Sequence, residues 1–417
     1  MKVLVIGNGG REHALAWKIS LSEKVTEVYV QAPLFHAEES LREVHFNADD
    51  HKQILDICRQ HKIDLVVVGP ERQLVEGIAD MLRENGFPTF GPGRRGAVFE
   101  GSKSFTKEFL TRNNIPTAFG VSCTSMKEAL TSYPQFENLP VVKIDSLAGG
   151  KGVFLPDSVT EMERTLRSIY SDDPHALLVL EERLAGWEVS IFALSDGKKF
   201  MIMPESQDYK RIFDNDKGPN TGGMGAVTPV SRLSTQSRTE IEEIMHRVRT
   251  AMTNEGIDYR GLLYAGFMVT PKGPKILEFN CRFGDPETQA LLFNTESDIF
   301  PLLMACAEGN LDELELKQYE GHCVTVVLAS SGYPQGRSEP VIVNGLNKIT
   351  DEQVKVFHAG TQFINGHFYA TGGRILNVTA RGSSLEEARQ LAYNAASLIK
   401  FKGMKFRTDI GLNSTNQ

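Results

Sequence analysis

The sequence has few cysteines, no long apolar run and no surplus of positive charge. Its five cysteines, Cys58, Cys123, Cys281, Cys306 and Cys323, are odd in number, scattered over 417 residues and never spaced as a CxxC pair. That argues against a disulfide framework and against a zinc site. The longest apolar runs, such as Val3–Ile6 and Leu65–Val68, fall far below the roughly 18 residues that cross a bilayer. Only Lys2 precedes the first of them and no small-residue cleavage site follows, so no secretory leader is expected. Forty-five Lys and Arg stand against 53 Asp and Glu, a net charge of -8. Such a balance gives no general attraction to nucleic acid or to anionic membrane. These absences leave a reduced, cytoplasmic, multidomain protein.

What is present is a multidomain α/β pattern. At about 150 residues per domain the length predicts two to three domains. In the first third, apolar runs alternate with helical stretches: Val3–Ile6, Glu12–Leu21, Val28–Val30, Gln53–Gln60 and Leu65–Val68. This predicts a doubly wound α/β domain over residues 1–100, with ligand-binding turns at the carboxyl ends of its strands, at Gly7–His13 and Gly69–Glu71. Glu100-Gly101-Ser102-Lys103 then reads as the opening of one charged helix. Residues 101–315 are expected to form a two-lobed core with a small α+β subdomain at about 120–190. Residues 316–417 are expected to form a small α+β domain. Its last helix is signalled by a Ser384/Glu387 capping box and by an apolar face of Ala388, Leu391, Ala392, Ala395, Leu398 and Ile399.

Five segments carry chemistry. Gly7-Asn8-Gly9-Gly10-Arg11-Glu12 resembles a dinucleotide fingerprint, but its sixth position is Glu and the second strand ends at Gln31 with no acid for a ribose diol. Backbone N–H groups there, with Arg11, would still suit one phosphate monoester. Alternatively the segment is only a tight strand-to-helix turn.

In Lys143-Ile144-Asp145-Ser146-Leu147-Ala148-Gly149-Gly150-Lys151-Gly152 a strand lysine precedes a glycine loop with a second lysine. Glycines allow close approach to a polyphosphate and lysines neutralise it. The strand ending at Leu180 runs into Glu181-Glu182-Arg183-Leu184, with Glu188 beyond. Main-chain groups there suit a purine edge and a carboxylate suits ribose hydroxyls, although acid pairs at strand ends are commonly just solvated.

In Leu277-Glu278-Phe279-Asn280-Cys281-Arg282, strand alternation points Glu278 and Asn280 one way and packs Leu277 and Phe279 the other. Two hard oxygen ligands aimed at one spot fit Mg²⁺ or Mn²⁺. Arg282 adds a planar cation for a carboxylate or phosphoryl group. Residues 207–225 hold many turn formers and alternating charge, and read as a long ordered functional loop.

These segments, in this order, resemble the ATP-grasp superfamily. Within it, GNGGREHA, VVGPE, EGSKSFTKEFL, IPTA, GPNTGGMGA, YAGFM and LEFNCRFGDPETQ resemble the phosphoribosylamine–glycine ligases, and SSGYP, FHAGT and TGGRIL carry the likeness to the C-terminal domain. The resemblance implies ATP-dependent joining of glycine to 5-phosphoribosylamine in purine biosynthesis, beneath a mobile lid at 120–190. Another ATP-grasp ligase or carboxylase, or a non-catalytic nucleotide-binding relative, are the rival readings.

Carried over position by position, it implies Lys103, Lys143, Gly149, Gly150, Lys151 and Gly152 at the ATP phosphates. Glu181, Glu182 and Leu184 would hold the adenine, Glu188 the ribose, and Glu278 and Asn280 the metal. Arg282, Asp285, Asp208, Lys210 and the loop Thr221, Gly222, Gly223, Met224 and Gly225 would surround glycine and its acyl phosphate. Gly9, Gly10, Arg11, Glu12, His13, Pro70 and Glu71 would receive phosphoribosylamine. Departures are Leu34 and Phe35 where the family usually has Gly and Asn, and Ser146, Gly149, Trp187 and Tyr209.

Overall fold

The computed structural model describes residues 1–32, 40–147, 152–336 and 339–412. The expectations placed on Leu34, Phe35, Gly149, Gly150 and Lys151 therefore lie outside the described residues.

The first unit runs β1 (Lys2–Ile6), α1 (Gly10–Ser20), β2 (Glu27–Gln31), β3 (Leu41–Val44), α2 (His51–His61), β4 (Leu65–Val68), α3 (Glu71–Val75), α4 (Ile78–Glu84) and β5 (Thr89–Phe90). All its strands are parallel, in the order β3-β2-β1-β4-β5. The apolar runs in β1 and β4 are buried, as strands covered on both sheet faces must be. The chain leaves β1 toward one edge and later returns to place β4 on the other side. The carboxyl ends of β1 and β4 thus flank a switch point, where a crevice forms.

Two helices follow, α5 (Arg94–Gly101) and α6 (Lys103–Arg112). The expected single helix is broken at Ser102, whose extended backbone ends α5 and whose hydroxyl caps α6 by accepting from the Phe105 N–H at 3.1 Å. A small antiparallel unit comes next: β6 (Gly120–Cys123), α7 (Met126–Ser132), β7 (Val141–Ile144), β8 (Val153–Phe154), α8 (Val159–Asp172) and β9 (Leu178–Glu181), with sheet order β6-β9-β7-β8. It has its own core, built around Val142, Met162, Leu166, Leu178 and Leu180.

The central sheet has the order β11-β10-β16-β17, from β10 (Trp187–Asp196), β11 (Phe200–Ile202), β16 (Arg260–Thr270) and β17 (Gly273–Asn280). Alternation divides β10 between two cores. Phe192 and Leu194 pack toward the first unit, Ile191 and Ala193 toward the helix at residues 235–254.

Between β11 and β16 lie β12 (Gln207–Asp208), β13 (Arg211–Phe213), β14 (Lys217–Asn220), β15 (Gly225–Thr228) and α9 (Thr235–Asn254). The segment expected to be one long loop is therefore four short strands. β13 and β14 form a hairpin whose turn places Asn215 and Asp216 at positive φ, a conformation Asn and Asp tolerate.

After α10 (Glu287–Phe293) and α11 (Ile299–Glu308) come β18 (His322–Ala329), β19 (Val341–Ile342), β20 (Val354–His358), β21 (Thr361–Ile364), β22 (His367–Ala370), β23 (Arg374–Gly382) and α12 (Leu385–Leu398). The sheet order is β12-β15-β18-β23-β20, so two strands from before residue 315 complete the C-terminal sheet. Ser384 caps α12 through the Glu387 N–H, and Ala388, Ala392 and Ala395 are buried as expected. Leu398, expected in that face, is 40% exposed. Among the described residues, no helix is long and apolar enough to cross a membrane.

Candidate active site

A cleft of ≈ 370 Å³ opens where the three units meet. The first unit contributes Arg11 and Glu71, and the third contributes Arg374. The central unit contributes Lys103, Lys143, Gly152, Glu181, Asp208, Lys210, Thr221, Gly222, Glu278, Asn280, Arg282 and Asp285. Half of the expected site residues, 14 of 28, thus line one cleft.

The metal pair sits on β17 as expected, but the neighbouring residue does not. A bulge sets Glu278 opposite Gly266 and Ile276 opposite Phe267, leaving Leu277 as the extra residue. Ile276 and Phe279 take the core positions, and Leu277 turns into the cleft. A bulge re-aims side chains in this way, and it gives the cleft an apolar wall with Leu110, Leu147 and Val153. The side chains of Glu278 and Asn280 make no protein hydrogen bond among the described residues, so their oxygens stay available as hard donors.

Lysines converge from the other side. Glu181 is buried and accepts Lys143 at 2.8 Å and Lys107 at 3.3 Å. Its carboxylate therefore anchors two cations and is not free for adenine, a division of labour that the acidic run 181–182 does not disclose. The Leu184 N–H, in the linker between β9 and β10, has no hydrogen-bond partner among the described residues. Glu182 pairs with Lys275 at 3.3 Å. Asp145 accepts from the Lys103 and Ser104 N–H groups and the Ser102 hydroxyl, tying the end of β7 to the start of α6. Lys103 in turn donates to Ser146 O at 2.8 Å.

Arg282 is held between two acids, Glu100 at 3.0 Å and Glu71 at 3.2 Å. Burial opposes its charge, but Glu100 and Glu71 outweigh it and raise its pKa further. Burial pushes the Glu100 carboxyl up. Lys210 is ion-paired with Glu188; the Lys210 ammonium holds the Glu188 carboxyl below its usual range.

Two other acids are stranded in poorly hydrated positions. Burial, then the like charge of Asp208, pushes Glu287 up to about 7. Burial pushes Asp208 up to about 6 despite Lys210. Carboxyls with raised pKa values favour the fold while protonated, and that contribution is lost as pH rises through about 6–7. In the ligand-free protein, Glu287→Gln should match the wild-type melting temperature near about pH 5 and exceed it near about pH 8. An unchanged difference between the two pH values would contradict the assignment.

The first-unit turn is more closed than its sequence indicates. Glu12 Oε2 accepts from the Gly9 N–H at 2.8 Å, and its Oε1 pairs with Arg11 Nε at 2.7 Å. A Cβ on Gly69 would lie 2.2 Å from Glu12 Oε1. The glycines at this turn therefore make room for the Glu12 carboxylate. Arg11 also donates to Phe283 O at 3.0 Å. His13 is fully buried and accepts from the His358 N–H at 2.8 Å, which packs the first unit on the third and keeps His13 out of the cleft. Pro70 caps α3 beside Glu71. Within the 221–225 segment only Thr221 and Gly222 face the cleft; Met224 is buried, and Gly223 packs on Pro286.

Sequence reasoning missed Lys107, Glu100 and Arg374 as cleft residues. Lys107 and Glu100 lie in the quoted EGSKSFTKEFL segment, so proximity to Lys103 was the available signal. TGGRIL held Arg374 with no local hint of its destination.

A subdomain bearing Lys143, a strand-end Glu-x-Asn pair and a cluster of cations in one cleft define an ATP-grasp enzyme, a class that works with ATP and a divalent metal ion. Fold comparison agrees. Biotin carboxylase from Campylobacter jejuni, solved as a β-γ-ATP complex, superposes with a TM-score of 0.73 at 14% identity, covering 100% of this chain and 95% of that one.

The likeness to one family is closer. Sequence models described as phosphoribosylglycinamide synthetase N domain, ATP-grasp (A) domain and C domain match residues 1–100, 101–288 and 323–413. The phosphoribosylamine–glycine ligase of Synechocystis is 42% identical over 420 residues, 99% of each chain. That of Rhizobium meliloti is 41% identical over 417 residues, 99% of this chain and 98% of the relative. The crystal structure of the Thermotoga maritima enzyme of that name matches with a TM-score of 0.86 at 30% identity, over 98% of this chain and 100% of the other. The chain belongs to the phosphoribosylglycinamide synthetase family, and it is a ligase.

Proposed function

We propose that this protein joins glycine to 5-phosphoribosylamine, using ATP and forming glycyl phosphate on the way to glycinamide ribonucleotide, ADP and phosphate. The observation that carries this reading is the single cleft in which the metal pair and cations of the central unit meet Arg11 and Glu71 of the first. A carboxylate is a poor electrophile until its oxygen becomes a leaving group, so phosphorylation must precede attack by the amine.

Lys103 and Lys143 would neutralise the ATP phosphates, and Gly152 would let the backbone approach them closely. The apolar wall of Leu277, Leu110 and Val153 would take the base, with the open Leu184 N–H at its edge and Glu188 toward the ribose. Glu278 and Asn280 would hold Mg²⁺, with Mn²⁺ sharing the same hard-oxygen preference. Such an ion, when bound, offsets the charge that develops on the transferring phosphoryl group. Lys210 and Arg282 would orient the glycine carboxylate against the γ-phosphate, and Asp208, Asp285, Thr221 and Gly222 would line the amino-acid end.

Phosphoribosylamine would approach from the side of Arg11, Gly10 and Glu71, its amine meeting the acyl carbon once ADP has formed. On this reading residues 1–100 would form the substrate domain, 101–315 the ATP-grasp core with its lid subdomain, and 316–417 the C-terminal domain. The five free, buried cysteines fit a cytoplasmic setting and a monomer needs no further chain for this cleft.

Water must be excluded while the acyl phosphate exists. The subdomain at 120–190, with a core of its own, is suited to close as a lid. Amide exchange in β7 and β9 is expected to slow on adding ATP with Mg²⁺; equal exchange with and without nucleotide would contradict a lid. ADP release tests the ligase reading against the carboxylase reading that the shared fold allows. It should depend on glycine and not on bicarbonate. Release stimulated by bicarbonate alone would reject the proposal.

A further inference from the structure

Arg374 opens β23 in the third unit, yet its guanidinium reaches the cleft. Its Nη1 donates to Gly222 O at 2.6 Å and to Asp285 O at 2.7 Å, and its Nη2 donates to Asp285 Oδ2 at 3.0 Å. The other carboxylate oxygen, Oδ1, accepts from Gln289 Nε2 at 2.9 Å. Each oxygen of Asp285 is thus fixed from one side and keeps lone-pair capacity for a further donor. The planar fork holds two backbone carbonyls and a carboxylate in one fixed geometry, which an ammonium on a flexible stem does not reproduce.

Glycine enters as a zwitterion. When its carboxylate faces the phosphoryl donor and the cations Lys210 and Arg282, its ammonium group needs an anionic acceptor at the opposite end of a very short molecule. Asp285 lies in the same cleft, three residues after Arg282, and Gly222 O adjoins it through the shared guanidinium. The wall is tight: a Cβ on Gly222 would lie 3.3 Å from Arg374 Cζ, and one on Gly223 would lie 2.4 Å from Pro286 Cδ.

We propose that Arg374 is a positioning residue for glycine, fixing Asp285 and Gly222 as the wall that receives the ammonium group. This rests on the ligase reading above. It makes the third unit part of amino-acid selection, although the ATP-binding elements lie elsewhere.

The test uses the full chain with ATP and Mg²⁺, with hydroxylamine as acceptor, following ADP release driven by glycine or by glycolate, which carries a hydroxyl in place of the ammonium group. For Arg374→Ala the KM for glycine should rise by about 10- to 100-fold, the range expected when a charge-assisted contact is lost. The KM for ATP should stay at the wild-type value, and the preference for glycine over glycolate should fall. Arg374→Lys should show the same glycine-specific defect, and it serves as the readout if the alanine variant does not fold.

Wild-type glycine KM and wild-type discrimination in both variants would overturn the proposal. So would a parallel loss of glycine and ATP affinity with unchanged discrimination, the signature of a merely structural role. Absence of glycine-dependent ADP release in the wild type would instead overturn the ligase reading beneath it.

Discussion

Replacing Glu278 by alanine is expected to lower turnover by about three orders of magnitude, the scale of several kcal/mol of phosphoryl-transfer stabilisation. The folded protein should be little affected. Glu278 is partly exposed at the end of β17 and makes no protein hydrogen bond among the described residues, so its loss leaves no buried partner unsatisfied. Neighbouring Phe279 keeps its place in the core. Steady-state kinetics across a Mg²⁺ titration, beside a urea melt, would check this. Activity above about a tenth of wild type at saturating Mg²⁺ would contradict the role of Glu278 as a metal ligand.

Arg282→Met should behave in the opposite way, harming both stability and activity. The guanidinium is the shared partner of Glu100 and Glu71, and the Glu100 side chain is only 7% exposed. Removing one partner of a buried ion pair leaves a stranded charge and costs about 3–5 kcal/mol. Burial already pushes the Glu100 carboxyl up, so the variant should lose more stability as pH rises and that carboxyl is forced to ionise, and least in acid, where it is protonated. Adding Glu100→Gln should restore much of the stability and none of the turnover. Urea midpoints for the single and double variants separate the two effects. Recovery of activity in the double variant would show that Arg282 acts only as a structural counter-ion.

The legible parts of the molecule are those set by local pattern. Buried apolar runs predicted β1 and β4 and the crevice at their ends, and alternation placed Glu278 and Asn280 on one side of β17. Tertiary pairing decided the rest. The register shift against β16 that turns Leu277 into the cleft depends on Gly266 and Phe267, and no property of 277–280 alone encodes it. Glu181 reads as a ribbon-end acid until Lys107 and Lys143 arrive from two other elements. The segment 207–228 looks like a loop because its strands are two to four residues long and find partners only in β18 and in each other. Glu12 looks like a failed glycine in a fingerprint, and only the closeness of Gly69 shows that the carboxylate belongs there. Arg374 meets Asp285 across 89 residues of sequence, beyond the reach of any motif.

The central claim is that one cleft couples ATP cleavage to amide formation between glycine and phosphoribosylamine. Incubating the full chain with labelled glycine, ATP, Mg²⁺ and 5-phosphoribosylamine, together and with each omitted in turn, tests it most directly. The account predicts labelled glycinamide ribonucleotide, equimolar with ADP, only in the complete mixture. Labelled product without phosphoribosylamine, or ADP release with no incorporation of label in the complete mixture, would contradict it.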